Sequence, residues 1–160
     1  MKVKIDKSVF EDATDGGKQL ELAFLLHIVL YKNRYELMLL DAEILNTACF
    51  KNLMRSDREA IEHTVAMDIV SSSNSYDCDV RKGGEAEEKQ RVFSAEEAIL
   101  YLLQPQSIIL ENGLNDSHFM NAIFKWFDPS GVLTHYVKEG WIRYENAGGC
   151  SNVKNFLRAR

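Results

Sequence analysis

Ser107-Ile108-Ile109-Leu110 is the segment that most restricts the fold. It is a short apolar run with no polar face, closed by Pro105 before it and Gly113 after it. Such a run predicts a strand buried on both faces, which is the signature of a parallel sheet. Parallel strands need crossover connections, so helices must flank this one. The surrounding sequence agrees. Ser94-Ala95-Glu96-Glu97 is a capping box that opens a helix through Leu103, and Pro105 stops it. After the strand, Asn115 or Asp116 is the expected cap of a helix with a core stripe of Phe119, Ile123, Trp126 and Phe127. Pro129-Ser130-Gly131 turns the chain, 132–138 reads as a short helix, and Trp141 to Tyr144 as a second strand. Glu145 to Gly149 is a loop, and Ser151 caps a last helix from Asn152. The rhythm is that of an α/β fold with a short, mostly parallel sheet and flanking helices.

The N-terminal half reads as mostly helical. Lys2, Val3, Lys4 and Ile5 alternate as a short edge strand with its lysines facing water. Lys18 to Tyr31 is apolar on nearly every face and predicts a buried helix ended by Asn33. Tyr35 to Leu40 predicts a strand, and 43–54 and 57–70 predict helices. Ser56 and Glu59 form an expected capping box on the second of these, with Ile61, Val65, Ile69 and Val70 as its apolar stripe. Ser71-Ser72-Ser73-Asn74-Ser75 breaks the pattern, Tyr76 to Val80 is a short strand candidate, and 81–90 is an expected mobile loop. The division that follows is a largely helical accessory region over 1–75, a linker over 76–93, and an α/β unit over 94–160.

Composition excludes several classes. Hydrophobic residues make up 46% and charged residues 27%, as in a folded globular domain and unlike a disordered chain. A chain of 160 residues buries enough surface to hold a core without disulfide or metal. A net charge of -5 argues against nucleic-acid binding through bulk positive charge, and leaves room for an acidic site that meets phosphate through cations. The longest apolar run, Leu22 to Tyr31 with His27 inside it, is too short to cross a membrane. Cys49, Cys78 and Cys150 contain no CxxC spacing and read as reduced thiols of a cytoplasmic protein.

Ligands of open parallel sheets collect outside the carboxyl ends of the strands. Glu111 directly follows the apolar strand, and a carboxylate there can move a proton or ligate Mg²⁺. Asp116 reads either as a helix cap or as a metal ligand. Gly148-Gly149 precedes a helix start, a place suited to phosphate. Glu145 reads as a solvated loop residue, and His118 is a candidate phosphate contact. Asp77-x-Asp79 is the other carboxylate pair at strand spacing, either a solvated edge or a metal site of unrelated design.

The run Ser-Ile-Ile-Leu-Glu111-Asn112-Gly113-Leu-Asn-Asp116-Ser-His-Phe119 resembles the opening of a TOPRIM domain: a hydrophobic strand, a Glu, a short turn, and an Asp leading into a helix. Trp141 to Cys150 resembles that family's second strand and glycine turn, and the likeness covers roughly residues 105–160. The resemblance implies a Mg²⁺-dependent, phosphodiester-cleaving protein of the nuclease type, of the kind found in overcoming-lysogenisation and anti-phage defence systems. Glu111 would be its acid/base or metal-associated carboxylate, Asp116 would support the loop or the metal, and nucleic acid would be met through the metal. The family also carries an Asp-x-Asp pair after a third strand. None follows Glu111 here, so the chain reads as a piece or a shortened form of such a protein. The alternative is a non-catalytic module on a degenerate TOPRIM-like scaffold, binding a protein partner through residues 1–90. A third reading is a small-molecule phosphate binder using the Gly148-Gly149 helix start.

Overall fold

Val3 and Ile5 are fully buried and alternate with Lys2 and Lys4 along β1 (Lys2–Ile5). In the computed structural model, which describes residues 1–32, 34–70, 75–83, 91–149 and 152–158, this strand is an interior one. β2 (Glu36–Met38) pairs with one side of β1 and β3 (Cys78–Val80) with the other. β4 (Val92–Phe93) extends the sheet beyond β3, giving the order β2-β1-β3-β4 with every pairing parallel. The expected edge strand is therefore corrected. Its lysines have carboxylates in the flanking strands: Lys2 Nζ lies 3.2 Å from Glu36 and Lys4 Nζ 3.3 Å from Asp79.

The helices that accompany this sheet are α1 (Lys7–Asp12), α2 (Gly16–Tyr31), a 3-10 turn (Ala42–Asn46), α3 (Ala48–Asn52), α4 (Arg55–Val70) and α5 (Ala95–Leu102). Asp15 caps α2 by accepting the Lys18 N–H. Leu22, Leu25, Leu26, Ile28 and Val29 of α2 are buried, and α2 packs on α5, whose Ala98 and Leu102 are buried too. These side chains and Val3, Ile5, Leu37, Leu39, Cys78 and Val80 of the strands form one core. Ser94 and Glu97 close the expected capping box with both of its bonds. The box expected at Ser56 does not form. The helix already begins at Arg55, Ser56 Oγ turns to Asp57, and Glu59 takes the Arg55 guanidinium at 2.7 Å. Ile61 and Val65 are buried as expected, whereas the stripe positions Ile69 and Val70 lie outside the described side chains, as Asn33, 71–74 and 84–90 lie outside the described residues.

The chain divides into two compact units, 1–103 and 104–160. The boundary differs from the expected one for a physical reason. Cys78 and Val80 are fully buried, so the stretch expected as a linker returns to the first sheet and completes it with β3 and β4. α5 then packs on α2, and the Tyr35 hydroxyl donates to the Leu102 carbonyl, which holds 94–103 in the first unit. The first unit is thus rich in helix as expected, around a four-stranded parallel sheet.

The second unit runs β5 (Gln106–Leu110), α6 (Gly113–Phe127), α7 (Val132–Lys138), β6 (Ile142–Asn146), α8 (Val153–Arg158). β5 and β6 pair in parallel from Gln106↔Ile142 to Leu110↔Asn146. α6 packs on both strands. Its inward face is not the expected aromatic stripe. Phe124 is buried, while Phe119, Trp126 and Phe127 are 66%, 82% and 81% exposed. Gly113, Ser117, Met120 and Phe124 make the inward row at helical spacing, rotated from Phe119 and Trp126. Together the two units make an α/β protein with short parallel sheets flanked by helices.

Candidate functional site

The second unit's parallel register fixes where its candidate residues emerge. Leu110 and Asn146 are partners at the ends of β5 and β6, and the Ala147 N–H donates to the Leu110 carbonyl at 2.9 Å. The chain therefore leaves both strands at one edge. Glu111 is the first residue past β5 and is exposed, as its position predicts. Gly148 and Gly149 follow β6 at the same edge, both with left-handed backbone (φ 72° and 108°), which side chains other than glycine rarely adopt. Asn146 holds the turn by accepting the Gly148 N–H at 2.9 Å, and Asn152 Nδ2 donates to the Gly148 carbonyl at 3.2 Å.

The helix start beside Glu111 is built differently from expectation. Asn112 is the cap, with its side chain accepting the Asn115 N–H. Asp116 sits in the first turn and reaches back, accepting the Asn112 N–H at 2.8 Å with Oδ2. Asn115 and Asp116 are thus corrected as caps: the strand ends at Leu110, two residues before Asn112, and Asn112 has the extended backbone that a cap requires. Gly113 is required by close approach, because a Cβ there would stand 3.0 Å from the Asn146 Cβ. Glu145 is corrected as well. It lies inside β6, half-buried, and accepts the Ser107 hydroxyl from the neighbouring strand. Tyr144 ties β6 to α6 by donating to Asn121 Oδ1 at 2.7 Å. His118 is exposed on α6. Ser151, the expected cap of α8, and Cys150 lie outside the described residues. α8 itself has only six residues, too few to build a strong phosphate-attracting dipole.

The donor set decides how a metal would be held. Among the described residues no group of three or more His, Cys, Asp or Glu side chains is arranged to hold a metal ion. Glu111 and Asp116 are two carboxylates, and one Asp116 oxygen is occupied by the Asn112 N–H. That set suits an ion whose remaining positions are filled by water and phosphate oxygens, the usual habit of Mg²⁺, and not a closed protein cage.

The first sheet's carboxylates have structural partners. Asp77 Oδ2 accepts the Lys2 N–H at 2.8 Å and so tethers the start of β1. Asp79 is not a solvated edge residue, since it is 2% exposed. Its Oδ2 takes Lys4 Nζ at 3.3 Å and Arg81 Nη2 at 3.2 Å, and its Oδ1 has no partner among the described residues. Lys4 also lies 4.9 Å above the Tyr76 ring. Burial, reinforced by Asp79, pushes the neighbouring Cys78 thiol up to about 12, and burial raises Cys49. Both are free thiols, inert at neutral pH. Sequence reasoning missed the Lys4–Asp79–Arg81 cluster. The alternation of Lys2 and Lys4 suggested a wet face, and only the strand order reveals that Lys4 and Asp79 are cross-strand neighbours.

No family model, curated protein or solved structure matches the chain. No helix among the described residues is long and apolar enough to cross a membrane.

Proposed function

We propose that the chain handles phosphodiesters as a nuclease-like protein, or as part of one, through a TOPRIM-like second unit. The observation that carries this reading is the Leu110↔Asn146 register, which brings Glu111 and the Gly148-Gly149 turn to one edge of a parallel sheet. Ligands gather at that edge of open α/β sheets. The chemistry is hydrolysis of a phosphate ester. Water attacks phosphorus and the bond to the leaving oxygen breaks. The Glu111 side chain takes a proton from the attacking water and passes it to that oxygen. The glycine turn lets phosphate approach its backbone without a side chain in the way, while the Gly148 N–H itself is held by Asn146 Oδ1. Glu111 and Asp116 would hold Mg²⁺, which would supply neutralisation of phosphate charge. The reading puts the protein in the cytoplasm, where Cys49 and Cys78 stay thiols, with a role in anti-phage defence implied by the resemblance.

Plasmid nicking in Mg²⁺ or Mn²⁺ tests it. Glu111→Gln removes the carboxylate from an exposed position without changing its size. Nicking should fall by about a hundredfold or more, with the melting temperature unchanged. Equal nicking by the variant rejects the assignment of Glu111.

A second reading, a non-catalytic interaction module on the same scaffold, is favoured by the exposure of Phe119, Trp126 and Phe127 and by the use of Asp116 as a helix brace. An exposed apolar patch of this kind marks an interaction surface in many proteins. Absence of nicking by the wild-type chain, under conditions where it remains folded, supports this reading over the first.

A further inference from the structure

The first unit holds a cleft of about 590 Å³ between the segments that directly follow β1 and β2, independent of the edge that carries Glu111. This is the size of a small-molecule site. Its lining has a particular chemistry. Three carboxamides, Gln19, Asn46 and Asn52, face one space, and none of them makes a side-chain hydrogen bond to another described residue. The cation in the lining, Lys7, is already shared by two carboxylates: its Nζ lies 3.1 Å from Glu11 and bonds Glu43 as well. Those two bonds hold the Lys7 ammonium well above the ordinary lysine range. Phe10 and Ala13 border the cleft but are themselves buried.

An anion gains little here. Two of the three Lys7 donors are spent, and both Glu11 and Glu43 stand beside any incoming phosphate. Carboxamides instead present a donor and an acceptor side by side in one plane. That pair matches the N6 and N7 edge of adenine, the base that Asn and Gln contact bidentately. We propose that this cleft binds an uncharged adenine nucleoside, with its base edge on the carboxamides, and discriminates against the corresponding phosphate ester.

The test is NMR titration of the whole chain with adenosine, adenosine 5′-monophosphate and ribose, read at the side-chain amide resonances. Adenosine at millimolar concentration should shift those of Gln19, Asn46 and Asn52. Asn52→Leu and Gln19→Leu should each weaken binding about tenfold, the loss of about one polar contact. Asn52 is exposed at the end of α3, so its variant should melt as the wild type does. Adenosine 5′-monophosphate should bind at least about tenfold more weakly than adenosine. The proposal is overturned if adenosine leaves these resonances in place, if the monophosphate binds as tightly, or if ribose alone produces the same shifts. None of these outcomes bears on Glu111, so the two sites stand or fall separately.

Discussion

Asp79 shows what a single residue contributes to this fold. A carboxylate that is 2% exposed is costly unless cations answer it, and here Lys4 from the neighbouring strand and Arg81 from two residues on both reach its Oδ2. Removing it leaves two cations facing each other across β1 and β3. Asp79→Ala should therefore lower stability by about 2–4 kcal/mol, reduced from the fully buried case because Lys4 and Arg81 keep some contact with water. Urea unfolding reads this as a lower midpoint at unchanged slope. A loss within about 0.5 kcal/mol, the range of ordinary surface changes, would show that the cluster does not brace the sheet. Neither the burial of Asp79 nor its partners was legible in the sequence. Lys4 is 75 residues away, and an Asp beside a polar loop looks like any surface acid. Glu111 was legible, because its exposure follows from its place one step beyond an apolar strand. Asp116 was half legible: its part in the helix start was foreseen, but the cap is Asn112, and the side chain that could mark it is the one carrying the turn.

At the scale of elements, strong local signals survived and weak ones failed. β5, α6, α7 and β6 form close to where the apolar run, the turn residues and the helical spacing put them. β4 has two residues and went unseen, because two residues carry no period. The aromatic stripe of α6 misled because spacing defines a face without saying which face turns inward. That choice was made by Gly113, which lets α6 start against Asn146, and by Phe124, which buries beside the strands. The Ser94 box held where the Ser56 box did not, since Ser94 alone has the extended backbone of a cap. Ser94→Ala should cost about 1 kcal/mol by loosening the first turn of α5. Amide exchange should then speed up in α5, which packs on α2, while the second unit keeps its protection. Unchanged exchange in α5 would mean that tertiary packing alone fixes the start of the helix.

At the scale of the whole molecule, two parallel sheets of different size each open a carboxyl edge. In the first unit that edge borders the carboxamide-lined cleft, and in the second it carries Glu111 and the glycine turn. The α/β class was readable from the alternation of helices and strands around the Ser107–Leu110 run, although that run is not buried on both faces as expected, Leu110 alone being buried, whereas the division into units was not. A serine-rich stretch is a local sign, and the return of β3 between β1 and β4 is a pairing between residues far apart in the chain. Backbone amide NMR of the whole chain, titrated with a short DNA oligonucleotide in the presence of Mg²⁺, tests the central claim most directly. The account predicts shifts centred on Glu111, Asn112, Gly148 and Gly149. Shifts that spare these four amides, or that fall only within the first unit, would contradict it.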